Sequence, residues 1–484
     1  KMIVSGQVTF DPFGRATAQR YPVTEPKGSN TAFNASADAE PPTVTDHDVL
    51  DRVTRTVIPD GGTTTLTYGF GPDRGGATQF QTVVTDANVN ASKPGAVKTS
   101  YRDVRDLIVA VKERLAGADL WTSYTYDALK QIVEVRDHQD NLTKVSYDHL
   151  GRRTAIANPD TGLTEYAYDP ASNLTSKVTA NLRAQNQALT YDYDFNRLKA
   201  VTFPANPRLN VRYSYGAPGA PNNTAGRITK VVSHTTATSQ GALEDSQERQ
   251  YGKLGEVVYE KQTVVTYTSP LNPSVFETRY AFDTFGRLLR LTYPDGEVLT
   301  NVYDSGGNLQ SVASEKNGYR YRYLLALHYD KFEQRIQMEQ GNGVKTAYAY
   351  DPKTRRLHQL TAGKGTLFQN LHYGYDKVGN ILTLANQVPV PTPNQYGGPA
   401  NQAFTYDELY RLTSAQGSFQ YAPDKTHTYT LAMGYDTIHN ITTKNQLHTI
   451  VQPSQQAITQ KKTTYDFTYT YNPSGPASTR PHAP

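Results

Sequence analysis

Aspartate recurs at one fixed place of a repeated motif, directly after a tyrosine, and carboxylates could bind calcium or form a glycosidase pair. A catalytic carboxylate is expected once, however, and not in every copy. An aspartate at the start of a turn can accept backbone N–H bonds from residues further along. We therefore predict that these carboxylates cap turns. The clearest examples are Asp148, Asp169, Asp304, Asp351 and Asp376.

Arginine occupies the last place of the strongest motif copies, as Arg15, Arg152 and Arg287. A row of guanidinium groups could bind acidic glycans. The motif itself supplies two nearer partners, because the same arginine can stack on a neighbouring tyrosine or pair with the turn aspartate. We predict that it does one or both.

Histidine is scattered over the chain, and no H-E-x-x-H motif occurs among its 11 copies. His427, His439 and His448 lie in a strand pattern and leave a metal site open as an alternative. The segment Asp137–Asn141 is polar enough for a weak cation, but it lacks the glycine and distal glutamate of an EF-hand loop. A polar turn is predicted there. Without a G-x-S-x-G or phosphate-binding glycine loop, we predict no catalytic residue, no cofactor and no metal.

Composition excludes several other classes. The chain has no cysteine, so disulfides, redox motifs and cysteine-ligated zinc are ruled out. Its 49 basic and 45 acidic residues are dispersed, which argues against a nucleic-acid partner. No apolar stretch is long enough to span a membrane. The first residues, KMIVSGQVTF, resemble a strand and no signal peptide, so we expect a fragment of a longer protein.

The elements that carry these residues are tandem repeats. The strongest copies read FDPFGR from Phe10, YDHLGR from Tyr147 and FDTFGRL from Phe282. Four successive pairs of copies are 21 residues apart, as Tyr126, Tyr147 and Tyr168 illustrate. Looser copies begin at Tyr303, Tyr329, Tyr350, Tyr375, Tyr406 and Tyr435, and degenerate ones at His47, Tyr126 and Tyr251.

Each repeat predicts two strands and two turns. The glycine or asparagine before the last motif position is expected to take a positive φ. A second turn follows half a repeat later, as in Pro159-Asp160-Thr161-Gly162. Tyrosines two apart share one face of a strand, so pairs such as Tyr373 and Tyr375 predict ladders of rings.

Few segments interrupt the pattern. Tyr101–Ala116 comes nearest to a helical period, and a degenerate repeat is predicted there, with a short helix as the alternative. Residues 25–46, 216–226 and 387–400 are predicted loops or insertions. Because repeats resume on both sides of each, residues 1–484 are predicted to form one continuous domain.

About thirty strands spaced ~4.8 Å apart would make a ribbon roughly 140 Å wide. Closed into one ring, that ribbon would be too wide for side chains to fill. Hydrophobic residues amount to only 37%, which suits a sheet wetted on both faces. The predicted fold is therefore all-β, with tandem β-hairpins spiralling into a hollow barrel or cocoon.

These motifs resemble the RHS/YD-repeat family over nearly the whole chain. Stretches such as YDYDFNRL from Tyr191 and YDKVGNIL from Tyr375 are similar to the repeats of bacterial RHS toxins, the B/C cocoon of Tc toxins and the teneurin barrel. The resemblance implies a secreted bacterial shell around a cytotoxic C-terminal polypeptide. Its partners would be the rest of the same polypeptide, that cargo and a delivery or secretion component. The family's self-cleaving core has no counterpart in these residues.

Three functions compete at this point. The first is a non-catalytic shell segment of a toxin, which shields its cargo by steric exclusion. The second is an extracellular adhesion or carbohydrate-binding module, for which tyrosine ladders and arginines would be suited. An enzyme is third, because no polar constellation occurs only once.

Overall fold

The computed structural model describes residues 2–26, 28, 36–90, 93–238, 241–266, 272–392, 397–452 and 456–484. Their contacts divide into two compact units. Unit 1 comprises residues 1–142, 328–339 and 343–484, and unit 2 comprises residues 143–327 and 340–342. Among the described residues, no helix has the length and apolar character needed to cross a membrane.

Nearly all strands belong to one large antiparallel sheet. The first part of the chain forms β1 (Met2–Val4), β2 (Val8–Phe10), β3 (Ala16–Gln19), β4 (Val23–Glu25), β5 (Thr43–His47), β6 (Val53–Val57), β7 (Thr63–Pro72), β8 (Thr78–Thr85), β9 (Val89–Asn90), β10 (Lys93–Pro94), β11 (Val97–Arg102), β12 (Ile108–Leu115), β13 (Ala118–Tyr126) and β14 (Ile132–Arg136).

The middle part forms β15 (Leu142–Tyr147), β16 (Arg153–Asn158), β17 (Gly162–Tyr168), β18 (Leu174–Val178), α1 (Ala180–Ala184), β19 (Leu189–Asp194), β20 (Arg197–Thr202), a 3-10 turn (Pro207–Leu209), β21 (Val211–Tyr215), β22 (Ile228–Thr238), β23 (Gly241–Tyr251), β24 (Val257–Thr266), β25 (Asn272–Phe282), β26 (Leu288–Thr292), β27 (Val298–Tyr303), β28 (Leu309–Lys316) and β29 (Tyr319–Tyr329).

The last part forms β30 (Arg335–Gln340), β31 (Lys345–Tyr350), β32 (Leu357–Lys364), β33 (Thr366–Tyr375), β34 (Ile381–Asn386), β35 (Ala400–Tyr406), β36 (Leu412–Ala422), β37 (Lys425–Tyr435), β38 (Ile441–Val451), β39 (Ile458–Thr459) and β40 (Tyr465–Thr468). The small pairs β1–β4 and β9–β10 stand outside the large sheet.

The predicted all-β fold of tandem β-hairpins is confirmed, and the sheet of the described residues is not closed into a barrel. Within unit 1, β2 and β40 are the outermost strands of the ladder, and no strand pairing among the described residues joins them. The first and last parts of unit 1 instead meet through side chains of their turns, as described below. A contact between turns cannot continue a strand ladder, so the sheet remains open.

Strands alternate in direction, so consecutive turns lie at opposite edges of the sheet. The turns that carry the Tyr-Asp motif define what we call the motif edge, and the turns between them define the opposite edge. The segment Tyr101–Ala116 follows this plan: β11 and β12 flank a turn at Asp103, whose carboxylate accepts the N–H of Leu107 at 3.1 Å. The prediction of a repeat there is confirmed over the helical alternative.

The predicted loops fall between strands. Residues 216–226 form turns with an isolated bridge between Gly216 and Ala225. In the range 25–46, β5 begins at Thr43, and residues 27 and 29–35 lie outside the described part. In the range 387–400, β34 ends before it at Asn386 and β35 begins at Ala400, while residues 393–396 lie outside the described part.

Candidate functional site

The turn at Asp148 shows what the repeated motif does. One carboxylate oxygen of Asp148 accepts the backbone N–H groups of Leu150 and Arg152, each at 2.9 Å. The other oxygen accepts the Nε–H of Arg152 at 2.7 Å. The carboxylate therefore holds both the turn backbone and the last motif side chain, an arrangement that we call the turn clamp.

The other predicted aspartates cap turns in the same way. The backbone N–H of Asn173 donates to Asp169 at 2.8 Å, that of Gly306 to Asp304 at 2.9 Å, that of Thr354 to Asp351 at 2.7 Å and that of Asn380 to Asp376 at 2.8 Å. Where asparagine replaces the motif arginine, its Nδ2 takes the second oxygen, as Asn173 does at 2.8 Å. The capping prediction is confirmed, and these five residues occupy five separate turns.

The position before the last motif residue has a positive φ, as predicted, but glycine is not required there. Gly151 has a φ of 77°, whereas Lys130 and Tyr410 have φ values of 66° and 62° in equivalent turns. A bulky residue ordinarily avoids this region. The two backbone bonds to the aspartate over-determine the turn and so hold the side chain there.

The motif arginines Arg15 and Arg152 each link one motif-edge turn to the next turn along the same edge. The Nη1 of Arg152 donates to the carbonyl of Asp169 at 2.8 Å, and its guanidinium lies 4.9 Å from the ring centre of Tyr168. Arg287 likewise pairs with Asp283 at 2.6 Å and lies 4.8 Å from the ring centre of Tyr303. Arg15 pairs with Asp11 at 2.7 Å and donates to the carbonyl of Asp48 at 2.9 Å. Arg152 and Arg287 therefore have both predicted partners at once, whereas Arg15 has its aspartate and lies 5.0 Å from the ring centre of Phe13 in place of a tyrosine.

The motif tyrosine also forms a hydrogen bond to the preceding repeat. The hydroxyl of Tyr168 donates to the carbonyl of Arg153 in the preceding repeat at 2.9 Å. Equivalent bonds of 2.7 to 3.0 Å are made by Tyr126, Tyr215, Tyr303, Tyr350, Tyr375, Tyr406 and Tyr435. A register shift directly before the tyrosine, as between Ala167 and Tyr168, marks a bulge that re-aims its ring. The predicted ring ladder is seen at Tyr373 and Tyr375, which stack at 6.3 Å.

In one degenerate turn, a glutamate takes the place of the motif aspartate. Gly252 stands where the motif has aspartate, and a carboxylate oxygen of Glu256 accepts the N–H of Leu254 at 3.0 Å. A Cβ atom on Gly252 would meet Oε1 of Glu256 at 1.9 Å. The glutamate therefore fills the space that an aspartate side chain would occupy.

The clamp shifts the titration of its carboxylates. Hydrogen bonds lower the pKa of Asp48 below 3.8, chiefly through the side chain of Arg52. The pKa of Asp148 is lowered chiefly by the backbone N–H of Arg152, and that of Asp169 chiefly by the side chain of Asn173. Each of these turns is therefore strengthened by the ionised form of its aspartate.

Two of the three singled-out histidines come together. Nδ1 of His427 lies 2.8 Å from Nε2 of His448, and Nδ1 of His448 lies 2.5 Å from Oγ1 of Thr463. His439 lies apart, in the Asp436 turn, where its Nδ1 is 3.4 Å from Arg411. Burial, then His448 and Lys425, lowers the pKa of His427 below 6.5. The described residues contain no group of three or more His, Asp or Glu side chains placed to bind a metal.

The segment Asp137–Asn141 forms a capped turn at the opposite edge. The Asp137 carboxylate accepts the N–H groups of Gln139 and Asn141, each at 2.9 Å. Its outward side chains contact the last part of unit 1: Gln139 donates to Thr437 at 2.9 Å, and Asn141 accepts the N–H of Gly475 at 3.0 Å. The polar-turn prediction is confirmed, and the turn has a second role that the sequence did not indicate.

That role is part of a seam within unit 1, where opposite-edge turns of its first part contact motif-edge turns of its last part. Lys377 donates to Asp60 at 3.2 Å, Asn88 donates to Asp376 at 3.0 Å, and the hydroxyl of Tyr21 donates to the carbonyl of Lys353 at 2.5 Å. Further seam contacts join Lys331 to Asp38, Tyr410 to Asp86 and the N–H of Ala116 to Glu408. The partners are separated by 288 to 334 residues of sequence.

The arrangement of these parts defines a class of protein. The residues described so far build a repetitive β-wall. Its charged and polar side chains fix turns, join neighbouring turns and join distant segments of the chain. The teneurin YD-shell profile matches residues 74–325, just over half of the chain. The chain belongs to this YD-shell family.

Two curated relatives and one solved structure set the scale of the similarity. The toxin subunit YenC1 of Yersinia entomophaga is 35% identical over 157 residues, which are 30% of this chain and 16% of that protein. The double-stranded DNA deaminase toxin A of Burkholderia cenocepacia is 22% identical over 428 residues, which are 85% of this chain and 25% of that protein. The chain therefore spans a quarter or less of these relatives.

The solved structure is the Tc holotoxin pore of Photorhabdus luminescens. It superposes with a TM-score of 0.77 at 21% identity, over 97% of this chain and 24% of that one. At this identity the likeness establishes the fold. The predicted family and its β-shell architecture are confirmed.

Proposed function

We propose that residues 1–484 form a continuous, non-catalytic wall segment of a secreted bacterial toxin, which encloses a cytotoxic polypeptide until delivery. The wall acts sterically, because it keeps proteases away from the enclosed chain. Its partners are the rest of the same polypeptide, that cargo and a component that delivers the toxin.

The seam is the observation that carries this proposal. Its contacts recur at a narrow range of sequence separations, between 288 and 334 residues. Within unit 1, turns of the first part therefore stack on turns of the last part at a nearly constant interval, as a wall built from successive layers of turns requires.

The exposed surface supports the same proposal. A compact monomer of 53.6 kDa should expose about 17,800 Å², whereas this chain exposes 28,923 Å². The buried apolar side chains of the described residues are few: Tyr101, Ala110, Leu120, Val232, Val265, Leu327, Ala362, Val388, Ala415 and Ile438. Most side chains of the described residues therefore keep part of their surface in contact with water.

Relatives supply the toxin part of the proposal. YenC1 and the deaminase toxin are toxins by name, and the solved neighbour belongs to a Tc holotoxin. Because this chain spans a quarter or less of each of these proteins, the cargo and its delivery are carried over as proposals. A secreted location follows from the same reasoning.

Small-angle scattering tests the hollow wall. A compact globule of 484 residues should have a radius of gyration near ~23 Å, and we expect a clearly larger value. Limited proteolysis then tests enclosure in the polypeptide that includes the region following these repeats. That region should resist cleavage until Lys377→Glu loosens the seam, and equal cleavage of both proteins would contradict the proposal.

A cleft in unit 2 favours a second candidate, carbohydrate binding. It has a volume of about 570 Å³ and is lined by Arg290, Arg320, Arg322 and Tyr321 among others. The rings of Tyr319, Tyr321 and Tyr323 are largely exposed on the same strand. Aromatic rings and guanidinium groups together suit acidic sugars.

A glycan array separates this candidate from a plain wall. Binding of uronic-acid or sialylated glycans that is lost in Arg322→Ala and kept in Arg153→Ala would support it. Absence of binding at high glycan density would remove it and leave the enclosure proposal unaffected.

A further inference from the structure

Two arginines of unit 2 lie in one cross-strand row of the sheet. Along strands β26 to β29, Arg290 pairs with Thr300, Thr300 with Ala313, and Ala313 with Arg322. Residues that stand directly opposite each other on antiparallel strands project from the same face. The row therefore carries a guanidinium group at each end and short side chains between them.

The charges of these two guanidinium groups have no partner within the described part of the chain. There, the side chains of Arg290 and Arg322 make no hydrogen bond, ion pair or ring contact, and both residues are exposed. Motif arginines, by contrast, are bonded to turn aspartates. The adjoining row holds a third arginine, Arg320, whose charge is balanced by Glu315 at 3.4 Å. Two positive charges thus remain uncompensated on this face.

The space above the row is the cleft that favours carbohydrate binding. Arg290, Thr300, Ala313 and Arg322 all line this space of about 570 Å³, which lies within the size range of small-ligand sites. The two arginines stand three strand spacings apart, about 14 Å at the backbone, so each guanidinium can reach toward the middle of the row. One anionic group above Thr300 and Ala313 can therefore contact both.

A phosphomonoester is an anionic group that matches two guanidinium charges. It carries a charge of about −1.5 to −2 near pH 7 and has three acceptor oxygens, which the planar guanidinium fork binds in pairs. A sugar carboxylate carries a single charge, so it would leave one arginine without a matching charge. Asn317 and Tyr321 line the same cleft, and their amide and ring suit the hydroxyl groups and the apolar face of a sugar.

We propose that this cleft binds a sugar that bears a phosphomonoester group, with Arg290 and Arg322 on the phosphate and Thr300 and Ala313 beneath it. The inference rests on the proposed carbohydrate binding of this cleft and narrows its ligand to phosphorylated sugars. It is independent of whether the wall encloses a cargo.

NMR titration of the 484-residue chain with glucose 6-phosphate, glucuronic acid and inorganic phosphate tests the inference. Glucose 6-phosphate should bind about tenfold more tightly than either of the others, because it alone supplies both the double charge and the sugar ring. Its affinity should rise between pH 5 and pH 7.5, since a phosphomonoester gains its second charge near pH 6, whereas the affinity for glucuronic acid should stay constant. No histidine is among the described residues that line the cleft, so the ligand is the group that titrates in this range.

Single substitutions test the two arginines. Arg290→Ala and Arg322→Ala should each weaken the binding of glucose 6-phosphate about tenfold, because each removes a charge-assisted contact to the phosphate. Lys316→Ala is the matched control: it removes a positive charge from the same hairpin, but from an ammonium group that is bound to Asp295. Its affinity should equal that of the unchanged protein, and an equal loss in all three variants would show general attraction by charge and overturn the inference.

A gain in affinity provides a test that misfolding cannot imitate. Glu315→Gln should tighten the binding of glucose 6-phosphate about two- to fivefold, because it frees the charge of Arg320 beside the row. Equal affinities for glucose 6-phosphate and glucuronic acid would overturn the phosphate preference and leave the carbohydrate candidate standing. Inorganic phosphate that binds as tightly as the phosphorylated sugar would reveal a bare anion site and overturn the inference. Binding of neither sugar would overturn the inference together with the carbohydrate candidate.

Discussion

The guanidinium of Arg152 binds two neighbouring motif-edge turns at once: its Nε pairs with the Asp148 carboxylate at 2.7 Å, and its Nη1 donates to the carbonyl of Asp169 at 2.8 Å. One side chain thus closes its own turn and sets the distance to the next. In repeat proteins, the stability of one repeat depends mainly on its contacts with the neighbouring repeats. The motif arginine makes one of these contacts.

Arg152→Ala should therefore weaken two turns and not one. Because a lysine or alanine cannot reproduce the forked contact, we expect the melting temperature to fall by about 2–4 °C. Hydrogen exchange should rise in both the Asp148 and the Asp169 turns. The neighbouring Arg153→Ala is the control, since Arg153 is exposed and its guanidinium contacts Tyr166, at 4.8 Å from the ring centre and 3.5 Å from the hydroxyl, and not a motif turn. Faster exchange confined to the Asp148 turn would contradict the link.

The Gly252 turn predicts a non-additive pair of substitutions. Gly252→Asp alone should force the flexible end of the Glu256 side chain to swing away and should leave two carboxylates close together, so we expect little or no gain in stability. Glu256→Arg alone leaves the N–H of Leu254 without its acceptor. Together the two changes recreate the common clamp, so the double variant should melt above either single variant. Thermal unfolding of the four proteins measures this, and simple additivity would argue against the proposed exchange of roles.

The clamp also predicts acid sensitivity. The folded-state pKa values of Asp48, Asp148 and Asp169 lie below the ordinary 3.8. Their stabilising effect is therefore complete above pH 3.8 and is lost as the pH falls through the lower folded-state values. Melting temperatures measured from pH 7 down to pH 2.5 should drop steeply only at the acid end. Asp148→Asn should reduce that drop, and a pH-independent melting temperature would rule out ionised clamps.

A second pH effect is expected near neutrality. The pKa of His427 lies below 6.5 because the ring is buried beside His448 and Lys425, with Tyr421 against it at 5.0 Å. A lowered histidine pKa contributes stability above 6.5 that declines as the pH falls toward the folded-state value. Hydrogen exchange of β37 and β38 should therefore quicken between pH 7.5 and 5.5. His427→Phe should abolish this change, and persistence of the change in that variant would assign it elsewhere.

Lys377 and Lys253 occupy the same motif place, one residue after the turn start, but only Lys377 has a seam partner in Asp60. Lys377→Glu should place two carboxylates together and loosen the seam, so proteolysis should increase around both Lys377 and Asp60. Lys253→Glu should leave the digestion pattern unchanged. High salt should narrow the difference, because the pair is partly exposed and screened. Identical patterns for both variants would show that the seam contributes nothing in solution.

The turns were predictable from sequence because each depends on residues that lie close together in the chain. Asp148, Gly151 and Arg152 lie within five residues, so their turn follows from hydrogen-bonding rules alone. For Arg152 the sequence indicated the turn aspartate and a neighbouring tyrosine as partners, and it left open whether one or both are used; the bond to the Asp169 carbonyl was not anticipated. The structure satisfies both through different atoms of the guanidinium.

Long-range features were not predictable. The contact between Gln139 and Thr437 depends on how much sheet separates two segments of sequence, and small differences in strand twist accumulate over many strands. For the same reason the sequence left open whether the sheet closes: Asp60 meets Lys377 by stacking of turns and not by strand pairing. The exposed Phe13 and the buried Ile438 look alike in sequence, since both follow a motif aspartate by two residues.

The turn clamp tolerates a change in the number of repeats, whereas the seam does not. A hairpin brings its own aspartate, arginine and tyrosine, so duplication or loss of one repeat costs little locally. Every such event between Asp60 and Lys377 would nevertheless slide the later turns past the earlier ones and mismatch each pair of polar partners. Variation in repeat number should therefore concentrate at the free ends of the array, or occur in compensating insertions and deletions inside it.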